Sequence, residues 1–347
     1  MASHSHGRRA RVGLVGLSGY AEVICQLLRG EGDEPRGRTV LSDLFVPDPE
    51  KHAALIDELR GAGVVVHGSY EALLAGSAEA VWLPTPIHLH RPMTEATLAA
   101  GKAVMLEKPV AGCIDDHDAI AAAAKDRAVL VGFQDIYRPN TAALKRCLID
   151  GMFGKPMRAV VHGIWPRPAS YYQRNDWAGA LRRHDTWVLD SPLNNAMAHF
   201  VNQPLFLLGP TLDTAATVAR VTVELWRARP GIENFDTCSL RVGLGRGGDT
   251  LDLVVIYTHA GRTTQHPQLD IDTDRGTLSI SFDGNATFTT HDGETQSANQ
   301  VDDLSCRPPM ARALGAAVLG DEPDVAVATL ATSRAHSVLV SAVSEAA

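Results

Sequence analysis

Arg11-Val12-Gly13-Leu14-Val15-Gly16-Leu17-Ser18-Gly19-Tyr20-Ala21 opens the regular structure of this chain, and its reading decides the fold. Arg11–Gly16 is an apolar run that closes on glycine, the pattern of a parallel strand buried on both faces. From Ala21 to Leu28 the residues Val23, Ile24, Leu27 and Leu28 fall on one helical face. A strand–turn–helix that cradles a dinucleotide needs glycine at the tight bend. It also needs small residues where backbone meets diphosphate and where helix packs on strand. Gly16, Ser18 and Ala21 take those places, with Gly19 and Tyr20 between the last two. Gly13, Gly16 and Gly19 offer an alternative register. Small residues in a ligand-free turn would look the same, so the turn alone is a weak signal.

Outward from this turn, strand patterns at Val40–Val46, Val64–Val66, Ala80–Leu83, Ala103–Leu106 and Val129–Val131 alternate with helical ones. The helical segments are His52–Arg60, Tyr70–Leu74, Met93–Ala100 and Asp115–Lys125. Repeated βα units predict a doubly wound parallel sheet, a Rossmann domain over residues 1–133. Beyond about residue 155 the texture changes. Arg158–Ile164, Ala216–Leu225, Thr237–Leu244, Leu251–Thr258, Gln268–Asp272 and Thr277–Phe282 are strand-like, separated by turns such as Gly245-Arg246-Gly247-Gly248. They predict an α+β domain over residues 134–347, built on an open, mostly antiparallel sheet. Helices at Pro309–Val318 and Val325–Ala346 would pack back toward the first domain.

Composition narrows the function. The chain has 347 residues, 45% hydrophobic and 21% charged, with a formal net charge of −8. That balance describes an ordinary soluble protein and argues against nucleic-acid and membrane-surface partners. No apolar run reaches the roughly 18–20 residues that span a bilayer. The basic N-terminus lacks the apolar core of a secretory signal, so a cytoplasmic location is expected. Five dispersed cysteines form no metal-ligand or disulfide spacing, so no metal is expected.

An acid after the second strand would hold an adenosine ribose. Asp43 and Asp48 follow what reads as a polar loop inserted over Glu31–Arg38, and Asp48 is the better placed. It could equally cap the helix that begins near Pro49. No arginine follows closely to take a 2′-phosphate, so NAD is expected, with NADP as the alternative.

Two further stretches carry the chemistry: Pro84-Thr85-Pro86-Ile87-His88-Leu89-His90, and Ala99-Ala100-Gly101-Lys102-Ala103-Val104-Met105-Leu106-Glu107-Lys108-Pro109. Here the chain resembles the glucose–fructose oxidoreductase, inositol dehydrogenase and rhizopine-catabolism (Gfo/Idh/MocA) family, which carries Thr-Pro-x-x-x-His and Glu-Lys-Pro at these relative positions. The resemblance continues through Tyr137-Arg138-Pro139 and Gly151-x-x-Gly154-Lys155-Pro156 to Asn195-x-x-x-His199-x-x-Asn202. It implies that Pro84, Thr85, Pro86, His88, His90, Glu107, Lys108 and Gln134 line the cofactor, and that Tyr137 and Arg138 face substrate. It also implies catalytic roles for Lys108, Asn195 and His199, the last two also touching substrate. The residues agree: a lysine ending a buried strand before proline can project its ammonium into a cleft. A histidine suits proton exchange with an alcohol. On a helix, Asn195 and His199 would share a face. The family usually has aspartate where this chain has Asn195 and often another where it has Asn202, which puts the usual acid–base assignment in doubt.

Aromatic residues are only 5% of the chain, yet Trp165, Tyr171, Tyr172, Trp177 and Trp187 cluster with Arg167, Arg174, Arg182, Arg183 and His184. Such a segment reads either as a ligand wall, with Trp165, Tyr172, Arg174 and Trp177 on substrate, or as a surface packed on another subunit. The expected activity is hydride transfer between NAD(P) and a secondary alcohol or ketone of a sugar, cyclitol or related polyol, with an anionic group on the substrate. Two alternatives stand beside it: an NAD-dependent lyase or glycosidase that uses a transient redox cycle, and a non-catalytic dinucleotide-binding protein. By resemblance, a homodimer or homotetramer assembles through the open sheet.

Overall fold

The computed structural model describes residues 7–30 and 38–346. Most of the basic N-terminus and of the loop expected over Glu31–Arg38 lies outside them. In chain order the first half comprises β1 Ala10–Val15, α1 Tyr20–Arg29, β2 Thr39–Phe45, α2 Ala53–Gly61, β3 Val65–His67, α3 Tyr70–Ala75, β4 Ala80–Leu83, α4 Ile87–Ala99, β5 Ala103–Leu106, α5 Ile114–Ala124, β6 Val129–Val131 and α6 Pro139–Ile149. The second half comprises β7 Pro156–Ile164, α7 Ala169–Gln173, β8 Arg182–Arg183, β9 Thr186–Trp187, α8 Ala198–Leu207, β10 Thr217–Trp226, β11 Thr237–Arg246, β12 Asp249–Thr258, β13 Gln265–Thr273, β14 Gly276–Ser281, β15 Ala286–Thr290, β16 Thr295–Ser297, α9 Arg307–Leu319 and α10 Leu330–Glu345.

The first six strands form one parallel sheet in the order β3-β2-β1-β4-β5-β6. Its strand order reverses between β1 and β4, where ligands of such sheets bind at the strands' carboxyl ends. β4 is buried at every residue, Trp82 included, as a strand covered on both faces must be. The second sheet runs β10-β11-β12-β7-β13-β14-β15-β16, antiparallel except where β12 lies parallel to β7. Cys238, Leu240, Val242 and Leu244 of β11 and Leu251, Leu253, Val255 and Tyr257 of β12 alternate inward, against a core shared with α8 and α10. Arg241 and Asp252 pair on the opposite face. α9 puts Met310, Ala311, Ala313 and Leu314 into the core of the first sheet.

Several boundaries differ from the sequence pattern for local reasons. α4 starts at Ile87, six residues before the Met93 the pattern predicts, because Pro86 fixes the entry to its first turn. α10 starts at Leu330 rather than Val325. Thr329 caps Thr332 N while Thr332 Oγ1 receives the Thr329 N–H, a reciprocal cap that sets the start. α6, β15 and β16 have no counterpart in the pattern reading; β15 and β16 are short, threonine-rich edge strands.

Candidate active site

The turn after β1 is open where a diphosphate belongs. Gly16 takes φ +85°, a left-handed bend that disfavours other residues. A Cβ on Gly19 would meet nothing within 4 Å. α1 has no side-chain cap, and the N–H groups of Leu17, Ser18 and Gly19 have no protein acceptor among the described residues. Ser18, in the second small-residue place, turns its hydroxyl to His52 Nε2 at 2.9 Å. Tyr20 Oη donates to Gln134 Oε1 at 3.1 Å, tying the turn to the end of β6. Free amides at a helix N-terminus suit an anion, so the residues present fit a dinucleotide.

Asp48 and Asp43 differ. Asp43 is buried and bonded to Ser42, His67 and Ser77, which hold its carboxyl below the usual range although burial pushes the other way. Asp48 is exposed beyond β2, makes no cap, and pairs with Lys51 at 2.7 Å.

β5 delivers the reactive pair. Glu107 is buried and accepts from Trp82 Nε1 at 3.1 Å; burial pushes its carboxyl up to about 7. Gly132 leaves room for that carboxylate, since a Cβ there would lie 2.6 Å from Glu107 Oε2. Lys108 reaches across the cleft, its Nζ donating to Asn195 O at 2.7 Å and facing Asn195 Oδ1 at 3.3 Å. Burial lowers the Lys108 ammonium to about 8, against the pull of Glu107 and Asp190.

Asn195 does not lie on a common α-helical face with His199. Pro192–Ala196 form a π-helical turn in which Met197 N bonds Pro192 O at 3.0 Å, and α8 begins only at Ala198. One extra residue in a turn swings a side chain by roughly 100°. Asn195 Nδ2 therefore bonds Asp190 Oδ1 at 2.7 Å, and no hydrogen bond joins it to His199. The other Asp190 oxygen accepts the Gly179 N–H at 2.5 Å. Asp190 is the residue sequence reasoning missed. A buried carboxylate stands one link behind Asn195, so the charge absent at position 195 is present in the site. Asn202, the second departure, is fully buried, and neither side-chain polar atom has a protein partner.

His199 faces the same cleft against Phe133, ring centroids 6.0 Å apart. Burial first, then the positive charge of Lys108, Arg138 and Arg307, holds it well below the usual histidine range. It is neutral at pH 7, as a base must be. Buried Thr85 Oγ1, His88 Nδ1, His199 Nδ1 and Arg167 Nε have no protein partner, consistent with a ligand completing them.

Other sequence-selected residues are used by the fold. His90 is buried, its ring nitrogens 2.8 Å from the Thr85 and Pro109 carbonyls, so it ties the Pro84–Pro86 turn to the Glu107–Pro109 turn instead of lining the cleft. Tyr137 is in the core, its hydroxyl on the Val131 and Ala328 carbonyls. Arg138 is taken by Asp135 and by the Asp283 and Leu304 carbonyls. These two do not face substrate, because a Tyr-Arg-Pro run carries no sign of which way its side chains turn. Trp165 packs edge-on against Phe200 and Phe282, while Tyr172, Arg174 and Trp177 stay in one aromatic–arginine cluster.

The link through Asp190 has a measurable consequence. Its charge favours the Lys108 ammonium, so Asp190→Asn should push that lysine further below about 8. If the ammonium is the working form, activity is lost as pH rises through its pKa. The alkaline limb of kcat/KM should then move about one unit to lower pH, a roughly fivefold loss near pH 8 that approaches tenfold at higher pH. An unmoved limb would disconnect Asp190 from Lys108.

Residues 10–134 match the family described as oxidoreductase family, NAD-binding Rossmann fold. The 1,5-anhydro-D-fructose reductase of Ensifer adhaerens is 30% identical over 162 residues, 46% of each chain. The inositol 2-dehydrogenase of Rhodococcus erythropolis is 34% identical over 134 residues, 38% of this chain and 37% of its own. The matched stretches thus span less than half of these relatives. The WlbA dehydrogenase of Bordetella pertussis, solved with NADH and UDP-GlcNAcA, superposes with a TM-score of 0.76 over 97% of this chain and 96% of its own, at 22% identity. Glu107-Lys108-Pro109 and the open turn at Gly16–Ala21 both lie inside the stretch that matches the oxidoreductase family with an NAD-binding Rossmann fold.

Proposed function

We propose that this protein interconverts a secondary alcohol and a ketone on a sugar, cyclitol or related polyol, using NAD(H). The reading rests on Lys108, whose ammonium is held 2.7 Å from Asn195 O and whose charge is felt by His199. When bound, the nicotinamide supplies the hydride acceptor or donor. Gly16, Ser18, Gly19, Tyr20 and Ala21 would hold the diphosphate, and Asp48 the adenosine ribose. Pro84, Thr85, Pro86, His88, Glu107 and Gln134 would form the walls around the nicotinamide ribose, with His90 positioning the loop behind them. Lys108 polarises the substrate oxygen, and neutral His199 takes the alcohol proton. Asn195, braced by Asp190, fixes where the ammonium sits. Two matched relatives bear names of this chemistry, a reductase of an anhydro-sugar and an inositol dehydrogenase.

The test is nicotinamide absorbance with purified protein and a panel of sugars, sugar acids and cyclitols. Stoichiometric change with one of them is expected. Product formed with no net change in absorbance would replace this reading with a lyase cycle. Tight cofactor binding with no turnover on any of them would leave a binding protein. Calorimetry should show NAD(H) binding more tightly than NADP(H), because Asp48 would repel a 2′-phosphate. Lys51 and His52 stand beside Asp48, and tighter NADP(H) binding would mean that they dominate.

We place the protein in the cytoplasm as a homodimer or homotetramer. Cys113, Cys147, Cys238 and Cys306 form no disulfide among the described residues, as a reducing compartment favours, and no helix among the described residues is long and apolar enough to cross a membrane. Light scattering tests the assembly.

A further inference from the structure

The aromatic–arginine segment does not act as one unit. Arg182 lies 3.5 Å over the Trp187 ring, and Arg183 pairs with Asp176. Arg167 and Arg174 also lie over aromatic rings, but neither has an ion-pair partner among the described residues. Both flank the Tyr171 ring, at 4.9 and 3.9 Å from its centroid. Tyr171 packs on Tyr172 with centroids 5.1 Å apart, and Arg229, from the segment after β10, reaches the Tyr172 ring at 5.9 Å. Three guanidinium groups, two from the segment around α7 and one from beyond β10, therefore share one pair of tyrosines.

The nearby carboxylates do not neutralise them. Asp190 is occupied by Gly179 N and Asn195 Nδ2. Asp236 accepts the Ala228 and Arg229 backbone N–H groups and the Thr237 hydroxyl. Among the described residues none of the three arginines has an ion-pair partner, and the buried Nε of both Arg167 and Arg229 is unbonded. Aromatic faces offset part of the cost of gathering like charges, but guanidinium groups with no carboxylate partner suit an incoming anion. Arg167 and Arg174 are close enough to Lys108 to disfavour its charge. An anion here would thus sit within the reach of one substrate molecule. The cofactor diphosphate belongs at the other domain's turn, Gly16–Ala21.

We propose that Arg167, Arg174 and Arg229 form a subsite beside Lys108 that holds a carboxylate or phosphoryl group of the sugar-like substrate, a step that rests on the proposed use of the cleft as a polyol site. It is tested by calorimetry on NADH-loaded protein with three probes: D-glucuronate, D-glucose 6-phosphate and neutral D-glucose. One of the two anions should bind at least about tenfold more tightly than glucose, and raising the salt from 20 to 200 mM should weaken it. Uronate preference would identify a carboxylate site, and sugar-phosphate preference a phosphoryl site. Arg167→Gln and Arg229→Gln should each weaken that anion roughly 10- to 100-fold while NADH still binds. Arg183→Gln, its arginine already paired, should leave it unchanged. Equal binding of all three probes, or an Arg229→Gln variant indistinguishable from wild type, would overturn the subsite. Turnover on neutral polyols with no anion preference would sink the subsite and keep the oxidoreductase. Arginine-dependent anion binding with no turnover on any polyol would keep the subsite and sink the oxidoreductase.

Discussion

Replacing Lys108 with methionine is expected to cut turnover about 30- to 1,000-fold and to leave NADH binding within about threefold. Among the described residues the ammonium is the only cation within hydrogen-bond distance of Asn195, and it is held by one carbonyl and one amide oxygen. Those two oxygens fix its position without neutralising it, so its charge remains available to a developing alkoxide. Losing one charge-assisted contact to the reacting oxygen raises the barrier by about 2–4 kcal/mol. The pH profile separates this role from a structural one. Lys108 sits near 8 because burial lowers it, so wild-type activity should fall as pH rises through that value. Methionine abolishes that alkaline limb along with most of the rate. Lys108→Arg, charged at every accessible pH, should remove the limb while keeping more of the rate. The methionine variant should melt no lower than wild type, since its side chain has no charge to desolvate. Normal turnover of the methionine variant on the true substrate would remove Lys108 from the chemistry.

The sequence was most informative where one local pattern decides one local structure. Ala80–Leu83, Ala103–Leu106 and Val129–Val131 are buried parallel strands because an unbroken apolar run has few other places to go. The turn at Gly16 and the position of Lys108 after β5 follow from glycine and proline constraints carried in the chain itself. The rest of the site is tertiary. Asp190 is a lone acid between Leu189 and Ser191, with no spacing to mark it. Its only local sign is the Ser191-Pro192 helix start that follows, where Ser191 caps Asn194 N. Arg229 lies 55 residues beyond Arg174 in the numbering, and joins it only because the end of β10 and the end of α7 bring the two to neighbouring tyrosines. The pairing of Asn195 with His199 looked sound by helical spacing and fails because the turn between them takes one residue more than an α-helix does. Period arguments presume regular geometry, and this turn departs from it at the residues that face Lys108.

The same departure recasts what His199 is asked to do. Neither of its ring nitrogens has a hydrogen-bond partner among the described residues, and Nδ1 is buried. Among the described residues no carboxylate is hydrogen-bonded to support an imidazolium there, and the charges of Lys108, Arg138 and Arg307 oppose one. The ring is therefore a weak but fully available base at neutral pH. In the alcohol-oxidising direction it must start neutral. Because burial and those cations depress its pKa, the acid limb of kcat/KM should lie below the ordinary histidine value of about 6.5. With the alkaline limb near 8 set by Lys108, the profile should be a broad plateau spanning neutrality. His199→Ala should lower kcat/KM by about 100- to 10,000-fold, the usual range for losing a positioned general base. It should also erase the acid limb while the alkaline limb stays in place. His199→Asn, which fills the space without titrating, should behave like alanine if proton transfer is the role and like wild type if the ring only packs on Phe133. An alanine variant of full activity, or an acid limb that survives in both variants, would assign the proton to another group. The buried Glu107 carboxyl, raised to about 7, would be the first to examine.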